Sequence, residues 1–158
     1  LNREGIRLAE LGIGETFDEE ALISGAARNA TISMLTDGVL MRLAKDDFNT
    51  LLNEPMLQWV DHEEGQQIVA KGGMWLDVRL PSEYEHWHLE PSLNVPLYFI
   101  RLKIKTLDPA VRYVAVCDNG RRSSAAAYIL SERGFDTYVL QGGIATTGLA
   151  DTLSRTSD

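Results

Sequence analysis

The 158-residue sequence is poor in the residues that build disulfides and metal sites. Its single cysteine excludes an intramolecular disulfide framework and a zinc site made from several thiolates. The three histidines are scattered and show no metal-ligand spacing. The composition therefore predicts neither a bound metal ion nor a cofactor.

Positive charge and long apolar runs are also scarce. The 15 Lys and Arg are outnumbered by 23 Asp and Glu, and the net charge of −8 argues against nucleic acid or an anionic membrane surface as a partner. No apolar run approaches the roughly 20 residues of a membrane span, and the first residues show no signal-peptide pattern. We therefore expect a cytoplasmic protein, with the 44% hydrophobic content of a globular chain.

The single cysteine stands between a strand pattern and a helix pattern. The apolar run 113–116 predicts a strand, the run 124–133 predicts a helix that stops at Gly134, and the run 137–140 predicts a second strand. The loop between the first strand and the helix is Cys117, Asp118, Asn119, Gly120, Arg121, Arg122 and Ser123. This order is typical of a parallel α/β unit.

That arrangement gives Cys117 a chemical role. Loops at the carboxyl ends of parallel strands form a binding crevice, and a helix N-terminus directs N–H groups and positive potential into it. Gly120 permits a crowded backbone, and Arg121 and Arg122 add positive charge. The setting favours a nucleophilic thiolate in an anion cradle, although Asp118 opposes both the thiolate and anionic donors. The alternative is a strand-end cysteine that packs as a small hydrophobe.

Between the N-terminal part and this unit, the sequence indicates further elements of an α/β domain. Residues 66–70 predict a short helix ended by Gly72-Gly73, and residues 74–78 predict a buried strand. Pro81 and Ser82 predict a helix start, with Ser82 as its cap. Residues 97–107 have helical spacing.

Residues 59–149 resemble a rhodanese-like domain. The family pattern Cys-x-x-Gly-x-Arg-Ser is met by Cys117, Gly120, Arg122 and Ser123. Further motifs stand in the family's order: Leu76-Asp77-Val78-Arg79 with Glu83-Tyr84, His88-Leu89, Asn94-Val95-Pro96-Leu97, Gly134-Phe135-Asp136 and Leu140-Gln141-Gly142-Gly143-Ile144. Departures from the family pattern at Trp87, Glu90-Pro91 and Thr146-Thr147 concern supporting turns more than the cysteine loop.

The resemblance implies a fold and an activity for residues 58–158. The fold is a five-stranded parallel α/β sheet with helices on both faces. The activity is a sulfurtransferase that moves sulfane sulfur from thiosulfate or polysulfide to a thiol or cyanide through a Cys117 persulfide. Residues 118–123 (Asp118, Asn119, Gly120, Arg121, Arg122 and Ser123) are expected to bind the persulfide through their backbone N–H groups.

Individual side chains of this site also receive expected roles. Arg122 stabilises the terminal sulfur anion, Ser123 caps the helix, and Arg121 faces solvent, where it steers anionic donors. Asp77 and Arg79 support the loop from the end of the neighbouring strand; a plain ion pair between them and their neighbours is the alternative.

Residues 1–57 predict a different unit, a partial β-roll of jelly-roll type with a trailing helix. The patterns 5–11, 29–35 and 39–43 indicate short strands, and Asp37-Gly38 predicts a hairpin turn. A helix is expected from Asp46 to Leu52 because its first turn carries acidic residues.

This unit resembles the second half of a cyclic-nucleotide-binding domain. The matching segments are Phe17-Asp18-Glu19-Glu20-Ala21-Leu22 and Arg28-Asn29-Ala30-Thr31. The resemblance implies cyclic AMP or cyclic GMP as a ligand, with Glu19 at the ribose 2′-hydroxyl and Arg28 at the phosphate. Asp18 stands where the family has glycine. The alternative is a surface ion pair between Glu19 and Arg28.

A half-roll leaves strand edges exposed. We expect it either to pair with the same segment of another molecule, giving a homo-oligomer, or to pack on the α/β domain. The sequence opens partway through the expected roll, which predicts a fragment of a longer regulator.

Three other functions compete with sulfur transfer. Phosphatases related to this family have a loop one residue longer before the arginine, whereas Cys117 to Arg122 spans six positions here. A second alternative is a non-catalytic module that senses persulfide or redox state for an attached regulator. The third is a cyclic-nucleotide receptor with an inactive rhodanese-like appendage.

Overall fold

A computed structural model describes residues 7, 9–25, 27–28, 30–48, 50 and 57–147. The end of the helix predicted over 46–52 and the closing residues 148–158 lie outside these residues. Of the predicted strand 5–11, residues 5, 6 and 8 lie outside them, and the described residues 7 and 9–11 carry no strand assignment. The boundary predicted between residues 57 and 58 stays a prediction because residues 51–56 are among those not described.

Five parallel strands form one sheet. They are β1 (Gln58–Val60), β2 (Met74–Asp77), β3 (Ser92–Asn94), β4 (Tyr113–Val116) and β5 (Thr137–Leu140). Their order across the sheet is β1-β5-β4-β2-β3, and every neighbouring pair is parallel. All four residues of β4 are buried, as expected for an apolar strand covered on both faces. The predicted five-stranded parallel α/β fold is confirmed.

Helices cover both faces of this sheet. The α-helices are α1 (Glu19–Ser24), α2 (Lys45–Phe48), α3 (His62–Ala70), α4 (Pro81–His86), α5 (Ile100–Lys103) and α6 (Arg121–Ser131). Single 3₁₀ turns lie at Leu97–Phe99, Ile104–Thr106 and Ile144–Thr147. Alternate residues of β4 face opposite cores: Tyr113 packs with residues of α5 and α6, whereas Val114 packs with residues of α3.

Two helix starts differ from the predictions. Helix α3 begins at His62, four positions before the predicted Gln66, because Asp61 and Glu64 form a reciprocal capping box. Its hydrogen bonds are 2.8 Å from the Glu64 N–H to the Asp61 carboxylate and 3.1 Å from the Asp61 N–H to the Glu64 carboxylate. Helix α4 begins at Pro81, whose fixed φ suits a first helical position, so Ser82 is not its cap.

The outer face of α6 is covered by the N-terminal segment. Residues 123–130 are all buried, although a helix on a sheet normally leaves one face in solvent. Phe48 packs edge-on against Tyr128, with ring centroids 5.2 Å apart. Glu15 accepts a hydrogen bond of 3.2 Å from Arg133. The N-terminal segment therefore packs on the α/β domain, while the predicted homo-oligomer stays a prediction.

The strands predicted at 29–35 and 39–43 are not present in the described residues, since residues 30–44 carry no strand assignment. Their apolar side chains are exposed: Ile32, Met34, Leu35, Val39, Leu40, Met41 and Leu43. An alternating pattern supplies only one face of a hairpin, and an isolated two-stranded hairpin is marginal in water. The alternating pattern by itself is therefore not sufficient to form strands within residues 30–44.

Candidate functional site

Cys117 lies at the carboxyl end of the central strand. It directly follows β4, and the loop behind it curls into the N-terminus of α6 at Arg121. Gly120 precedes the helix with φ 89°, a left-handed conformation that costs a non-glycine residue free energy. The predicted order of strand, loop and helix is therefore present, and the cysteine lies at the carboxyl end of the middle strand.

Backbone N–H groups converge on the sulfur. The Gly120 N–H lies 3.2 Å and the Ser123 N–H 3.4 Å from Cys117 Sγ, and Ser123 Oγ is 3.4 Å away. The whole Cys117 residue is 0% exposed. These donors, together with the end of α6, can hold a negative charge on sulfur or on an atom bonded to it.

Ser123 has a different place from the one expected. It is the third residue of α6 rather than its cap, and Gly120 occupies the N-cap position. The Ser123 hydroxyl donates to the Gly120 carbonyl oxygen at 3.1 Å. Ser123 therefore stiffens the loop while contributing its N–H to the sulfur.

Arg122 is also placed differently. Its two terminal nitrogens donate to both carboxylate oxygens of Glu83, at 2.7 and 2.8 Å, and one of them also donates to Asp118 at 2.9 Å. The guanidinium thus ties the cysteine loop to helix α4 instead of being directed at the sulfur. Glu83 was missed as a site residue, although it stands in the Glu83-Tyr84 motif quoted for the resemblance.

This three-residue cluster shifts the protonation of its members. The hydrogen bond from Arg122 lowers the pKa of Glu83 to about 2. Burial acts to raise the pKa of Asp118, but the hydrogen bond and charge of Arg122 outweigh it and the pKa is lowered. The hydrogen bond with Glu83 raises the pKa of Arg122. Both carboxylates are therefore ionised at neutral pH.

Glu83→Gln is expected to remove a pH-dependent part of stability. Because the folded pKa of about 2 lies below the ordinary 4.5, the ionised Glu83 stabilises the fold above pH 4.5 and loses this effect as the pH falls towards 2. For a partly exposed pair we expect about 1 kcal/mol. Urea unfolding of both proteins at a series of pH values measures the difference, and a difference that persists unchanged at pH 2 would contradict the assignment.

Asp77 and Arg79 form a buried ion pair at the end of β2. Arg79 donates to the Asp77 carboxylate from Nε at 3.0 Å and from Nη2 at 2.7 Å, and Nη2 also donates to the Trp87 carbonyl at 2.6 Å. The Val78 N–H donates to the Val116 carbonyl at 3.0 Å, directly before the cysteine. The pair therefore supports the carboxyl end of β2, beside the strand end from which the cysteine loop begins, and does not contact the sulfur itself.

Gly143 closes the other side of the loop. The Ile144 N–H donates to the Cys117 carbonyl at 2.8 Å, and the Ala145 N–H donates to the Asp118 carbonyl at 3.2 Å. A Cβ added at Gly143 would lie 2.5 Å from the Cys117 carbonyl oxygen, and φ there is 69°. The glycine pair after β5 thus permits a backbone approach that any side chain would block.

Gly143→Ala is expected to destabilise the protein by about 3 kcal/mol and to reduce activity of the cysteine at least tenfold, because both clash and strained φ act there. The matched control is Gly134→Ala, where φ is 82° but an added Cβ meets nothing within 4 Å. The control should cost about 1–2 kcal/mol from strain alone and leave the reaction rate unchanged. Equal rate losses in the two variants would contradict the role of Gly143.

The remaining loop side chains lie at the surface. The Asn119 side-chain oxygen accepts from the Arg121 N–H at 3.1 Å, which stabilises the turn into α6. Arg121 is exposed, and among the described residues no ion pair involves its guanidinium. Its exposure agrees with the prediction that it faces solvent.

The structure does not bring Glu19 and Arg28 together. Glu19 is 2% exposed and pairs with Arg101 of helix α5, whereas Arg28 pairs with Asp18 at 2.6 Å. Asp18 has φ 73°, which explains glycine at this position in the resembling family. One carboxylate oxygen of Glu19 has no hydrogen-bond partner. The alternative surface ion pair between Glu19 and Arg28 is therefore not formed, and their expected contacts with a nucleotide stay a prediction.

Two kinds of feature are absent from the part of the chain that the structure describes. Within it, no group of three or more His, Cys, Asp or Glu is arranged to hold a metal ion. None of its helices has both the length and the apolar character needed to cross a bilayer.

A strand, a loop and a helix that surround a cysteine with converging N–H groups define a class of α/β domains with a thiol at the carboxyl end of the central strand. The family model of the rhodanese-like domain matches residues 58–146, and that of the cyclic nucleotide-binding domain matches residues 1–54. The chain belongs to the rhodanese-like family, and the segment before this domain is similar to part of a cyclic nucleotide-binding domain.

Curated relatives agree with that assignment. Over 72 residues, the chain is 35% identical to thiosulfate sulfurtransferase PspE of Escherichia coli, covering 44% of this chain and 69% of that protein. Over 82 residues, it is 34% identical to thiosulfate sulfurtransferase GlpE of Pseudomonas fluorescens, covering 51% of this chain and 75% of that protein. Relatives of this domain thus carry the name of sulfur-transferring enzymes.

Solved structures share the fold. The rhodanese-related protein of Thermoplasma volcanium is 30% identical, with a TM-score of 0.53 over 56% of this chain and 88% of that chain. Reduced Bacillus anthracis CoADR-RHD is 28% identical, with a TM-score of 0.57 over 60% of this chain but only 17% of that longer chain. In the second case, the similarity therefore concerns only a small part of a longer chain.

Proposed function

We propose that this chain is a sulfurtransferase that moves sulfane sulfur from thiosulfate or polysulfide to a thiol or cyanide through a persulfide on Cys117. The observation that carries the proposal is the set of N–H groups of Gly120 and Ser123 around Cys117 Sγ. Relatives named thiosulfate sulfurtransferase support the same chemistry.

The reaction has two displacements at sulfur. The Cys117 thiolate attacks the outer sulfur of the donor, the donor's S–S bond breaks, and sulfite leaves when the donor is thiosulfate. The acceptor then attacks the outer sulfur of the persulfide and regenerates the thiolate. Because Cys117 is 0% exposed, the loop has to open for the donor to reach the sulfur.

The pairing of Arg122 favours sulfur over phosphoryl transfer. A transferring phosphoryl group spreads charge over three oxygens and calls for cations directed at them. Here the Arg122 guanidinium is occupied by Glu83 and Asp118. A persulfide carries one charge on one sulfur, for which the backbone N–H groups suffice.

Intact mass before and after incubation with thiosulfate or polysulfide tests the proposal. We expect the mass of one added sulfur atom, removed again by cyanide or a thiol and absent in Cys117→Ser. Many turnovers per minute would indicate an enzyme, whereas one slow, persistent adduct would favour the persulfide-sensing alternative. No adduct with any donor would overturn the proposal.

A second candidate function is a regulatory one for the N-terminal segment. It matches the cyclic nucleotide-binding family and packs on α6, the helix whose N-terminus holds the cysteine loop. Because Glu19 is occupied by Arg101, a nucleotide that binds Glu19 has to break this contact and release the segment. Near Glu19, burial raises the pKa of Glu132 and the charge of Glu19 adds to the effect.

Thermal unfolding with cyclic AMP or cyclic GMP tests this second function. We expect a shift in the wild-type chain that is lost in Arg28→Ala and kept in Arg7→Ala, a control whose arginine forms a local, exposed pair with Glu10. No shift with either nucleotide, or equal shifts in all three proteins, would contradict it.

A further inference from the structure

The mouth of the cysteine site has an unusual charge balance. One guanidinium, that of Arg122, is shared by two carboxylates, Glu83 and Asp118, so this cluster carries a net negative charge. The Asp118 side chain is 55% exposed and directly follows Cys117. The residue next to the cysteine therefore presents an accessible carboxylate, and the guanidinium of Arg122 is already paired.

The surroundings do not reverse this balance. Arg121 is the exposed cation of the loop. Its positive charge brings the sum over Arg121, Arg122, Glu83 and Asp118 to zero and does not make it positive. An open groove of about 590 Å³ is lined by Asp61, His62, Glu63, Gln141 and Gly142. It adjoins the loop, since the Gly142 nitrogen lies 3.8 Å from the position of a Cβ on Gly120. This groove adds the carboxylates of Asp61 and Glu63 next to the cysteine loop.

Sulfane donors differ in the charge that they bring to this mouth. Thiosulfate is a dianion, whereas an aliphatic persulfide with an ammonium group carries no net negative charge. The attacking thiolate is itself an anion, so each negative charge on the donor is repelled by both the nucleophile and Asp118. Near a protein surface, one unit charge at a few ångströms changes an encounter or a barrier by about tenfold.

We propose that Asp118 is a specificity-determining residue that directs this site towards persulfide donors without net negative charge and away from dianionic thiosulfate. The inference rests on the proposed sulfur transfer and names the donor class for that same site. In the transfer, the Cys117 thiolate attacks the outer sulfur of R–S–SH and the S–S bond breaks. The leaving thiolate takes the proton of the outer sulfur, which gives R–SH and the Cys117 persulfide anion, with no oxidant or reductant consumed.

The test compares persulfide donors of similar size that differ in charge. Cysteamine persulfide has an ammonium group and no net negative charge, 3-mercaptopropionate persulfide has a carboxylate and is anionic, and thiosulfate is the dianion without an organic group. Single-turnover formation of the Cys117 adduct, followed by intact mass at low ionic strength, gives a rate constant for each. The proteins are wild type, Asp118→Asn, and Asp37→Asn, a control that removes one exposed carboxylate from the N-terminal segment.

We expect the wild-type chain to react about tenfold faster with cysteamine persulfide than with 3-mercaptopropionate persulfide. Asp118→Asn should reduce this ratio about fivefold, mainly through faster reaction with 3-mercaptopropionate persulfide and with thiosulfate, and added salt should reduce the effect. Asp37→Asn should keep the wild-type ratio. Because asparagine matches aspartate in shape and can still accept from Arg122, the loop should retain its conformation.

The other outcomes have distinct meanings. Adducts that form at equal rates with all donors, or a ratio unchanged in Asp118→Asn, would overturn the role of Asp118 and leave sulfur transfer standing. A ratio that changes equally in Asp37→Asn would show an effect of net charge and would also overturn it. No adduct with any donor would overturn the proposed function itself, and this inference with it.

Discussion

Replacing Cys117 with serine is expected to reduce sulfur transfer to cyanide by about a thousandfold or more, because a hydroxyl neither ionises near neutral pH nor accepts a sulfane sulfur. The replacement changes one atom, and the Gly120 and Ser123 N–H groups that contact Sγ can donate to a hydroxyl oxygen instead. The fold should therefore survive the substitution.

Steady-state rates at saturating donor measure this loss, and thermal unfolding of the same samples reports the fold. Since the sequence has a single cysteine, no second thiol can substitute for Cys117. Transfer that persists in a folded Cys117→Ser protein would contradict the persulfide mechanism. A protein that fails to fold would be replaced by Cys117→Ala, whose expected loss of rate is the same.

Arg79→Ala is expected to destabilise the protein by about 3–5 kcal/mol, the cost of leaving one partner of a buried ion pair uncompensated. The side chains of Asp77 and Arg79 are only 1% and 8% exposed. Removing the guanidinium leaves the buried Asp77 carboxylate at the end of β2 without its ion-pair partner. It also leaves the Trp87 carbonyl without its hydrogen bond from Arg79. Both groups then pay a desolvation penalty without a partner.

Urea unfolding measures this cost against a matched control, Arg112→Ala. Arg112 and Asp136 form an exposed pair 3.8 Å apart, and its loss should cost less than about 1 kcal/mol. Arg79→Lys should fall between wild type and Arg79→Ala, because it keeps the charge and loses the paired hydrogen bonds. A cost below about 1 kcal/mol for Arg79→Ala would contradict the structural role of the pair.

Much of the α/β domain was predictable because its signals are local. The run 113–116 is apolar throughout, and such runs are typical of strands buried on both faces. Gly120 marks the one position of the cysteine loop that needs a left-handed backbone. Where prediction failed, a competing local signal prevailed: the Asp61 and Glu64 capping box started α3 earlier, and Pro81 started α4 before Ser82 could cap it.

The N-terminal segment shows the opposite case. Its alternating apolar residues predict strands, yet the described residues 30–44 have no strand, since sheet formation depends on partners that a local pattern cannot supply. The two residues for which the resemblance implied contacts with a nucleotide instead form ion pairs within the chain, Glu19 with Arg101 and Arg28 with Asp18. Glu19 is 82 positions from its partner Arg101.

The amino-acid sequence by itself determined three features: the position of Cys117 after a strand, the turn at Gly120 that leads into the helix, and the order of the strands along the chain. Each of them depends on residues that are only a few positions apart. The partners of the charged side chains were decided only by the tertiary structure. Arg122 pairs with Glu83, which is 39 positions away in the sequence. Because of this contact, the arginine that was predicted to bind an anion instead connects the cysteine loop to helix α4. Charges act through space, so their roles depended on which elements the fold brought side by side.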